Sequence, residues 1–425
     1  MHLKRLTFIF ILLIPIQISA TACTGDNTLK NAASDTPKVK TGAEVLIEQH
    51  LDELTGKRVG LVMNPTARIG QTHMLDTLMS LQVDVTALFA PEHGFRGEAG
   101  AGEVIEDGVD RETGLPVHSL YGDTRQPTVE MLSDVDLLLF DMQDVGARFY
   151  TYNATLGLLL VAAAEHRLPV WVLDRPNPAG GNYLSGWLLE EEFSSFVGMY
   201  PIPAAHGMTL GELGRMIIGE EWIDFDRKPE LRVIAMEGWN RSMLWPDTGL
   251  EWFPPSPNLP TFEHALAYLG TCLIEGTTLS EGRGTDDPFL LLGSPQTVFD
   301  SDDLDQLRQR IPGADLSADE FVPESIPGKA INPKHEGERC SGIRIRVTDM
   351  QAFTPVEAGL EIFRFLMEHS PGEETNDFLY RLAGTREIDR LMELDPTAAV
   401  SELEEELGFR LDQFRELRRP YLIYE

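Results

Sequence analysis

The sequence predicts an α/β protein built on a parallel β-sheet, and three observations indicate this class. Continuous apolar runs of strand length recur in the first half of the chain, as in strands buried on both faces. Each run ends in a polar cluster that contains Pro, Gly, Asn or Asp. Helical stretches lie between the runs, and strands that alternate with helices are typical of parallel sheets. The apolar runs cover 58–63, 83–89, 135–140 and 169–173.

The other elements follow from hydrophobic periodicity in chain order. We predict helices over 42–54, 72–81, 154–166 and 209–218, and a further strand over 231–235. The second half is predicted to contain a helix over 261–274, a strand over 342–347, and helices over 355–368, 375–382 and 398–405. The strands and helices of the first half predict a Rossmann-like parallel sheet.

Length and charge limit the classes of function. The 425 residues are too many for one ordinary core and fit about two domains. With 35 basic against 68 acidic residues, the net charge is -33. This balance argues against nucleic acid or an anionic membrane surface as the main partner. An anionic ligand would need a local basic pocket.

The N-terminus is interpreted as an export signal. Lys4 and Arg5 precede a mainly apolar run over 6–18, which is too short to span a membrane and typical of a signal peptide. The following Ala-Thr-Ala-Cys resembles a bacterial lipobox ending at Cys23. We expect a signal peptide over 1–22 and a lipidated Cys23 with a flexible tether over 23–40. The protein would then be an exported lipoprotein on a bacterial membrane, facing the periplasm or the cell exterior. Simple secretion and an uncleaved anchor are the alternatives, and pairing of Cys272 with Cys340 stays open.

Parallel topology brings the polar clusters to one edge of the sheet, where ligands of open α/β sheets bind. The loop after the second apolar run supplies two carboxylates, an imidazole and a guanidinium, which suit acid/base chemistry on an anionic substrate. A surface loop of solvated charges is the alternative for this segment taken alone. The residues expected around the cleft are Asn64, Glu92, His93, Arg96, Glu98, Asp141, Gln143, Asp144, Asp174, Arg175 and Asn177.

Several chemistries lack a motif in this sequence. The first strand is followed by Asn-Pro-Thr rather than a Gly-x-Gly-x-x-Gly turn, and there is no Walker A sequence. Gly-x-Ser-x-Gly, Ser-x-x-Lys and His-Glu-x-x-His are also absent. The scattered His118, His206 and His335 give no specific metal pattern. We therefore expect neither a cofactor nor a metal.

Six ordered motifs resemble one bacterial enzyme family. They are NPT at 64–66, APEHGFRG at 90–97, SLYG at 119–122, FDMQDVGARFYTY at 140–152, LDRPNP at 173–178 and EGTTLSEGRGT at 275–285. Over about 41–425 the chain resembles the NamZ-type exo-β-N-acetylmuramidases, formerly a domain of unknown function. The resemblance implies a Rossmann-like catalytic domain, expected over 41–259, and a smaller α+β auxiliary domain, expected over 260–425. It also implies an active site in the cleft between the domains and release of N-acetylmuramic acid from non-reducing ends of peptidoglycan fragments.

The resemblance and the residues together suggest roles. Glycoside cleavage needs a proton donor and a second group at the anomeric carbon. Glu92 is the expected acid, and Glu98, Asp141 and Glu281 compete for the second role unless the substrate's acetamido group supplies it. Candidate cations for the lactyl carboxylate are Arg96, Arg148, Arg175 and Arg283. The other expected substrate-binding residues are Asn64, His93, Tyr121, Gln143, Asp144, Tyr150, Tyr152, Asp174, Asn177, Ser256 and Asn258. A non-catalytic lipoprotein that binds cell-wall sugars is the competing class.

Overall fold

The computed structural model describes residues 38–425 apart from 93, 97–106, 123 and 396–397. The predictions for Cys23, His93, Glu98, the signal peptide and most of the tether lie outside the described residues. The strands are β1 (Val59–Met63), β2 (Arg68–Ile69), β3 (Thr72–His73), β4 (Val85–Ala90), β5 (Gly108–Val109), β6 (Pro116–Ser119), β7 (Leu137–Asp141), β8 (Val170–Leu173), β9 (Leu231–Ile234), β10 (Leu291–Ser294), β11 (Ala314–Phe321) and β12 (Cys340–Val347).

Helices lie between several of these strands and at both ends of the described chain. They are α1 (Gly42–Val45), α2 (Met74–Ser80), α3 (Tyr152–His166), α4 (Leu210–Gly219), α5 (Phe262–Thr271), α6 (Ser301–Arg310), α7 (Pro355–His369), α8 (Asp377–Ala383) and α9 (Leu411–Arg418). A π turn (Leu46–His50) and a 3-10 turn (Leu51–Leu54) extend α1, and a 3-10 turn (Cys272–Gly276) extends α5. Further 3-10 turns are Glu191–Phe193, Trp245–Thr248, Glu387–Met392, Val400–Glu402 and Arg419–Tyr421.

The main sheet has the strand order β5-β6-β4-β1-β7-β8-β9. Every neighbouring pair is parallel except β5 with β6. If the parallel strands are counted along the chain, this order is 3-2-1-4-5-6, the arrangement of doubly wound nucleotide-binding folds. The order reverses between β1 and β7. The predicted Rossmann-like α/β class is therefore confirmed.

The two faces of the sheet belong to separate apolar layers. Val62 and Phe140 pack in one layer with residues of α3 and α4. Leu61 and Leu139 pack in the other with residues of α1 and α2. Successive side chains of a strand point to opposite faces, so a strand covered on both sides needs an unbroken apolar sequence. This is why β1, β4, β7 and β8 could be recognised from composition.

The second half of the chain is built on a three-stranded antiparallel sheet with the order β10-β12-β11. Helices α5 and α7 cross closely beside it at Gly270 and Gly359. A Cβ atom on Gly270 would lie 2.0 Å from the carbonyl oxygen of Pro355, so only glycine allows this approach. Most buried apolar residues of this half join the layer that contains α3 and α4, while Leu291, Phe321 and Cys340 form a small separate cluster.

One predicted helix is wrong, and several strands were not predicted. The segment 398–405 contains only the short 3-10 turn Val400–Glu402. Side chains of α7 hold it there, since the Val400 N–H donates to Glu361 Oε1 at 2.6 Å and Arg364 Nη2 donates to the carbonyl of Ala398 at 2.9 Å. Strands β5 and β6 are short, and β11 is mostly polar. Their sequences therefore did not indicate strands.

Two further observations concern export and redox chemistry. In the described part of the chain, no helix has the length and apolar character needed to cross a membrane. Cys272 and Cys340 are both buried free thiols. The structure therefore contains no bond between these two cysteines.

Candidate active site

One cavity of about 770 Å³ is lined by residues from both sides of position 260. From the first side come Glu92, Tyr121, Arg125, Phe149, Tyr150, Thr151, Tyr152, Ser195, Phe196, Val197, Ser256 and Leu259. From the second side come Tyr268, Cys272, Glu275, Glu281, Arg283, Phe289, the segment 329–334, Phe378, Arg381 and Leu382. Cavities of this size bind small molecules. Seven predicted site residues therefore share one cavity: Glu92, Tyr121, Tyr150, Tyr152, Ser256, Glu281 and Arg283.

Glu92 enters this cavity from the loop that follows β4. The loop turns at Gly94, whose φ of +76° favours glycine. The hydroxyl of Thr151, the residue before α3, donates to Glu92 Oε2 at 3.4 Å. Burial and the Glu92 charge raise the pKa of Tyr121 to about 12, so its phenol stays protonated. Glu92 is half-buried, and the hydroxyl groups of Thr151 and Tyr121 lie beside its carboxylate.

Aromatic rings form much of the cavity wall. The ring centroids of Tyr150 and Tyr152 are 4.8 Å apart, and those of Tyr268 and Phe289 are 4.8 Å apart. The Tyr152 hydroxyl donates to the carbonyl of Pro255 at 2.9 Å. Burial raises the pKa of Tyr150 well above its ordinary value, and its hydroxyl has no hydrogen-bond partner among the described residues. Such a wall suits the apolar faces and hydroxyl groups of a sugar.

A cluster of alternating charges lies on the second side of the cavity. Arg283 donates to Glu275 Oε1 through Nε at 3.0 Å and Nη2 at 2.6 Å. Glu281 Oε1 lies 3.6 Å from Arg283 Nε, and Glu281 Oε2 lies 3.0 Å from Lys334 Nζ. Arg283 Nη1 is buried and has no partner among the described residues. The cluster thus combines two carboxylates that line the cavity, Glu275 and Glu281, with a guanidinium whose buried Nη1 group has no partner among the described residues.

Glycine fixes the loop that carries Glu281. Gly282 has a φ of +78°, and a Cβ atom there would lie 2.4 Å from the carbonyl oxygen of Leu291. The carbonyl of Glu281 accepts the Phe289 N–H at 2.7 Å. A positive φ with no room for a side chain makes this position specific to glycine. The motif at 275–285 therefore has a structural reason in addition to its charged residues.

Asp141 and Arg175 form a buried pair outside the cavity lining. Arg175 Nε donates to Asp141 Oδ1 at 2.6 Å and Nη2 donates to Oδ2 at 3.1 Å. Both side chains are almost completely buried. Asp141 lies at the end of β7, next to the point where the strand order reverses, and Arg175 lies just after β8. In a bidentate pair of this kind the guanidinium and the carboxylate bond each other, so we interpret both side chains as structural.

Other predicted polar residues hold the strand-end loops and do not line the cavity. Gln143 Nε2 donates to the carbonyls of Asp144 and Pro176, each at 2.7 Å. Asp144 Oδ2 accepts the Gly146 N–H at 2.8 Å. Loop backbone that leaves a buried strand needs such partners, because unpaired polar groups are costly there.

Four more residues predicted for the site, three asparagines and Asp174, also form hydrogen bonds within the protein. Asn64 Oδ1 accepts the Thr66 N–H at 3.1 Å. Asn177 and Asn258 donate to the carbonyls of Met208 at 3.1 Å and Lys329 at 2.8 Å. Asp174 accepts hydrogen bonds from Thr209, Gly211 and Tyr424, and burial raises its pKa to about 6. Asp174 thus anchors the C-terminal tail to the end of β8.

Of the four predicted lactyl-binding arginines, Arg283 alone lines the cavity among the described residues. Arg96 lies between Asp110, Glu112 and Asp76 at 3.2–3.7 Å. Arg148 is fully buried, and no carboxylate among the described residues pairs with it. Its guanidinium donates to three backbone carbonyls, those of Trp187, Ile202 and Leu382, at 2.6, 3.0 and 2.7 Å. Burial lowers the pKa of Arg148 to about 9.

Arg148→Met is expected to destabilise the protein by roughly 3–5 kcal/mol, because three buried carbonyls lose their donor. The midpoint of thermal unfolding should fall by at least about 5 °C in calorimetry. Arg58→Met is the matched control, since Arg58 is exposed and forms surface ion pairs with Asp134 and Asp136. Equal midpoints for the two variants would contradict this structural role.

Four cavity cations were not predicted: Arg125, Lys329, Lys334 and Arg381. Together with Arg283 they give five basic lining residues, against the three acidic residues Glu92, Glu275 and Glu281. This local balance is opposite to that of the whole chain. Their positions in the sequence carry no motif, so only the fold reveals them. No group of three or more His, Cys, Asp or Glu residues that could hold a metal ion occurs within the described ranges.

Comparisons with known proteins identify the family. Residues 59–263 match the N-terminal and residues 266–424 the C-terminal profile of exo-beta-N-acetylmuramidase NamZ. The chain is 40% identical to the peptidoglycan beta-N-acetylmuramidase NamZ of Bacillus subtilis over 99% of its own length and 100% of that protein. Two crystal structures of DUF1343 family proteins from Bacteroides fragilis are similar, with TM-scores of 0.79 and 0.75. Each is 32% identical and covers 91% of this chain and 99% of its own. This protein therefore belongs to the NamZ family.

Proposed function

We propose that this protein is an exo-acting glycoside hydrolase that releases N-acetylmuramic acid from non-reducing ends of peptidoglycan fragments. The observation that carries the proposal is the cavity with Glu92 and Glu281 in a chain 40% identical, over its whole length, to a peptidoglycan beta-N-acetylmuramidase. The reaction serves cell-wall turnover.

Glu92 is the proposed general acid. Cleavage of a glycosidic bond requires a proton for the leaving oxygen. Glu92 is half-buried in the cavity, and the hydroxyl of Thr151 is within hydrogen-bonding distance of its carboxylate. A carboxyl group in such a setting can exchange a proton with a bound substrate. Tyr121, whose pKa is raised to about 12, stays protonated beside it as a hydrogen-bond donor.

Glu281 is the proposed second group, which stabilises positive charge at the anomeric carbon. It lines the cavity, whereas Asp141 is paired with Arg175 outside it. Glu98, the other candidate, lies outside the described residues. The two basic groups beside Glu281, Arg283 and Lys334, balance its negative charge.

The charge of the cavity supports an anionic sugar as substrate. Muramic acid differs from glucosamine in its lactyl carboxylate, which requires a cation in a protein this acidic. The described lining has five basic and three acidic residues. Arg283 offers a buried N–H group without a partner among the described residues. We assign the lactyl carboxylate to Arg283.

A chromogenic N-acetylmuramic acid glycoside tests the function directly. The purified protein is expected to release the chromophore with saturable kinetics, and a muramic acid-terminated disaccharide should yield free N-acetylmuramic acid. A sugar-binding protein without catalytic activity is the alternative. It would bind the same glycoside in calorimetry without releasing the chromophore, and that result would refute the hydrolase assignment.

Export as a lipoprotein is a second part of the proposal, supported by Lys4, Arg5, the apolar run 6–18 and Cys23. Cys23→Ser is expected to abolish incorporation of a radioactive fatty acid and to release the protein from the membrane fraction. The wild-type chain, labelled in parallel, is the control. Unchanged labelling of the variant would exclude lipidation at Cys23.

A further inference from the structure

We propose that Lys334 is a positioning residue for this hydrolysis, because its ammonium group holds the Glu281 carboxylate in place within the cavity. The role rests on the proposed function, since it assumes that Glu281 acts on the bound sugar. Lys334 lies in the connection between β11 and β12, far in sequence from the motif at 275–285.

The contacts of Lys334 divide into hydrogen bonds and one charge contact. Nζ donates to the carbonyls of Ile274, Glu275 and Leu279 at 3.0, 3.3 and 2.9 Å. An ammonium group has three N–H donors, and these three acceptors use all of them. Glu281 Oε2 lies 3.0 Å from Nζ. The positive charge therefore attracts this oxygen, although the N–H groups of Nζ are bonded to the three carbonyls. Glu281 Oε2 is buried and has no hydrogen-bond partner among the described residues, so Nζ is the cation that compensates its charge.

Lys334 also connects two segments that line the cavity. One is its own segment, 329–334, and the other carries Glu281. The glycine-dependent loop fixes the backbone of Glu281, but its side chain still needs a partner to hold one rotamer. Arg283 contributes less to this, because its Nε and Nη2 groups are already bonded to Glu275 and Nε is 3.6 Å from Glu281 Oε1.

Lys334→Met is the central test, with Lys40→Met as the matched control. Lys40 forms an exposed ion pair with Glu48, away from the cavity. For the chromogenic muramic glycoside, Lys334→Met is expected to lower kcat about tenfold and to change KM less than about twofold, as for a misplaced catalytic group. Lys40→Met should keep both values.

A chemical rescue separates the ammonium charge from side-chain packing. Lys334→Cys should be as slow as Lys334→Met, and alkylation with 2-bromoethylamine should restore most of kcat by rebuilding an ammonium group. All proteins in this experiment carry Cys23→Ser. The two remaining native thiols, Cys272 and Cys340, should resist the reagent, because both are buried and burial raises the pKa of Cys340 to about 12 and that of Cys272 well above its ordinary value. Protein with the native Lys334, treated in parallel, controls for reaction elsewhere.

Hydrogen–deuterium exchange provides a measurement that does not depend on activity. Peptides covering 275–285 should exchange faster in Lys334→Met than in Lys40→Met, because the three carbonyls and Glu281 lose their common partner. Inactive wild-type protein would refute the proposed function, while this comparison would still test whether Lys334 holds the loop. Unchanged exchange, a raised KM with normal kcat, or failure of alkylation to restore kcat would each overturn the positioning role.

Discussion

Glu92→Gln is expected to lower kcat by about 10²-fold or more on a muramic glycoside with a sugar leaving group, because glutamine cannot donate the proton that the leaving oxygen needs. The substitution keeps the size of the side chain, and the amide oxygen can still accept from Thr151, which donates to Glu92 at 3.4 Å. The unfolding midpoint should therefore change little. Initial rates and calorimetry of wild type and variant measure both quantities.

The leaving group provides a sharper test of this acid role. A dinitrophenolate leaves without protonation, so Glu92→Gln should lose much less activity on the dinitrophenyl glycoside than on the sugar glycoside. Glu48→Gln is the control, because Glu48 is a half-exposed glutamate paired with Lys40 on the surface. Equal losses on both substrates would show that Glu92 acts in another way. Near-normal turnover of the sugar glycoside would transfer the acid role to Glu281 or Glu98.

Much of the fold could be predicted because buried parallel strands have a simple signature. The runs at 58–63, 135–140 and 169–173 match β1, β7 and β8 within two residues at each end. Strand β11 has the sequence ADLSADEF, and only its partner β12 makes it a strand. Its polar side chains face solvent, and such a strand has little apolar periodicity to reveal it. Pairing with β12 therefore determines the strand conformation of β11, which the local sequence does not indicate.

The candidate site was predictable only in part, and the reason lies in backbone hydrogen bonding. Polar residues after Rossmann-like strands can point toward a ligand or bond the loops themselves. Glu92 lines the cavity, whereas Gln143 and Asn177 donate to backbone carbonyls of the loops. Sequence does not distinguish the two, because both positions have the same residue types at the same edge. Lys334 could not be predicted either, since its contact with Glu281 joins segments 53 residues apart.

A preference for muramic over glucosamine glycosides of about 10²-fold or more in kcat/KM is expected from recognition of the lactyl carboxylate. Among the described arginines predicted for this role, Arg283 lines the cavity, and its buried Nη1 group has no partner among the described residues. A carboxylate bound there would satisfy that donor through a charge-assisted hydrogen bond. A muramic glycoside with its lactyl acid converted to the amide should lose a similar factor, because the shape is kept and the charge is removed.

Arg283→Gln should reduce this preference to within about tenfold, since a neutral side chain no longer favours the acid over the amide. Because the substitution leaves Glu275 without its cation, the double variant Arg283→Gln/Glu275→Gln serves as a second test with a neutral pair. Arg58→Gln, which removes an exposed arginine, is the control. The measurement is kcat/KM for the muramic, muramic amide and glucosamine glycosides of one leaving group. If the wild type hydrolyses all three equally, the cavity selects its sugar by shape. If both Arg283 variants keep the full preference, the carboxylate is bound by another cavity cation, Arg125, Lys329 or Arg381.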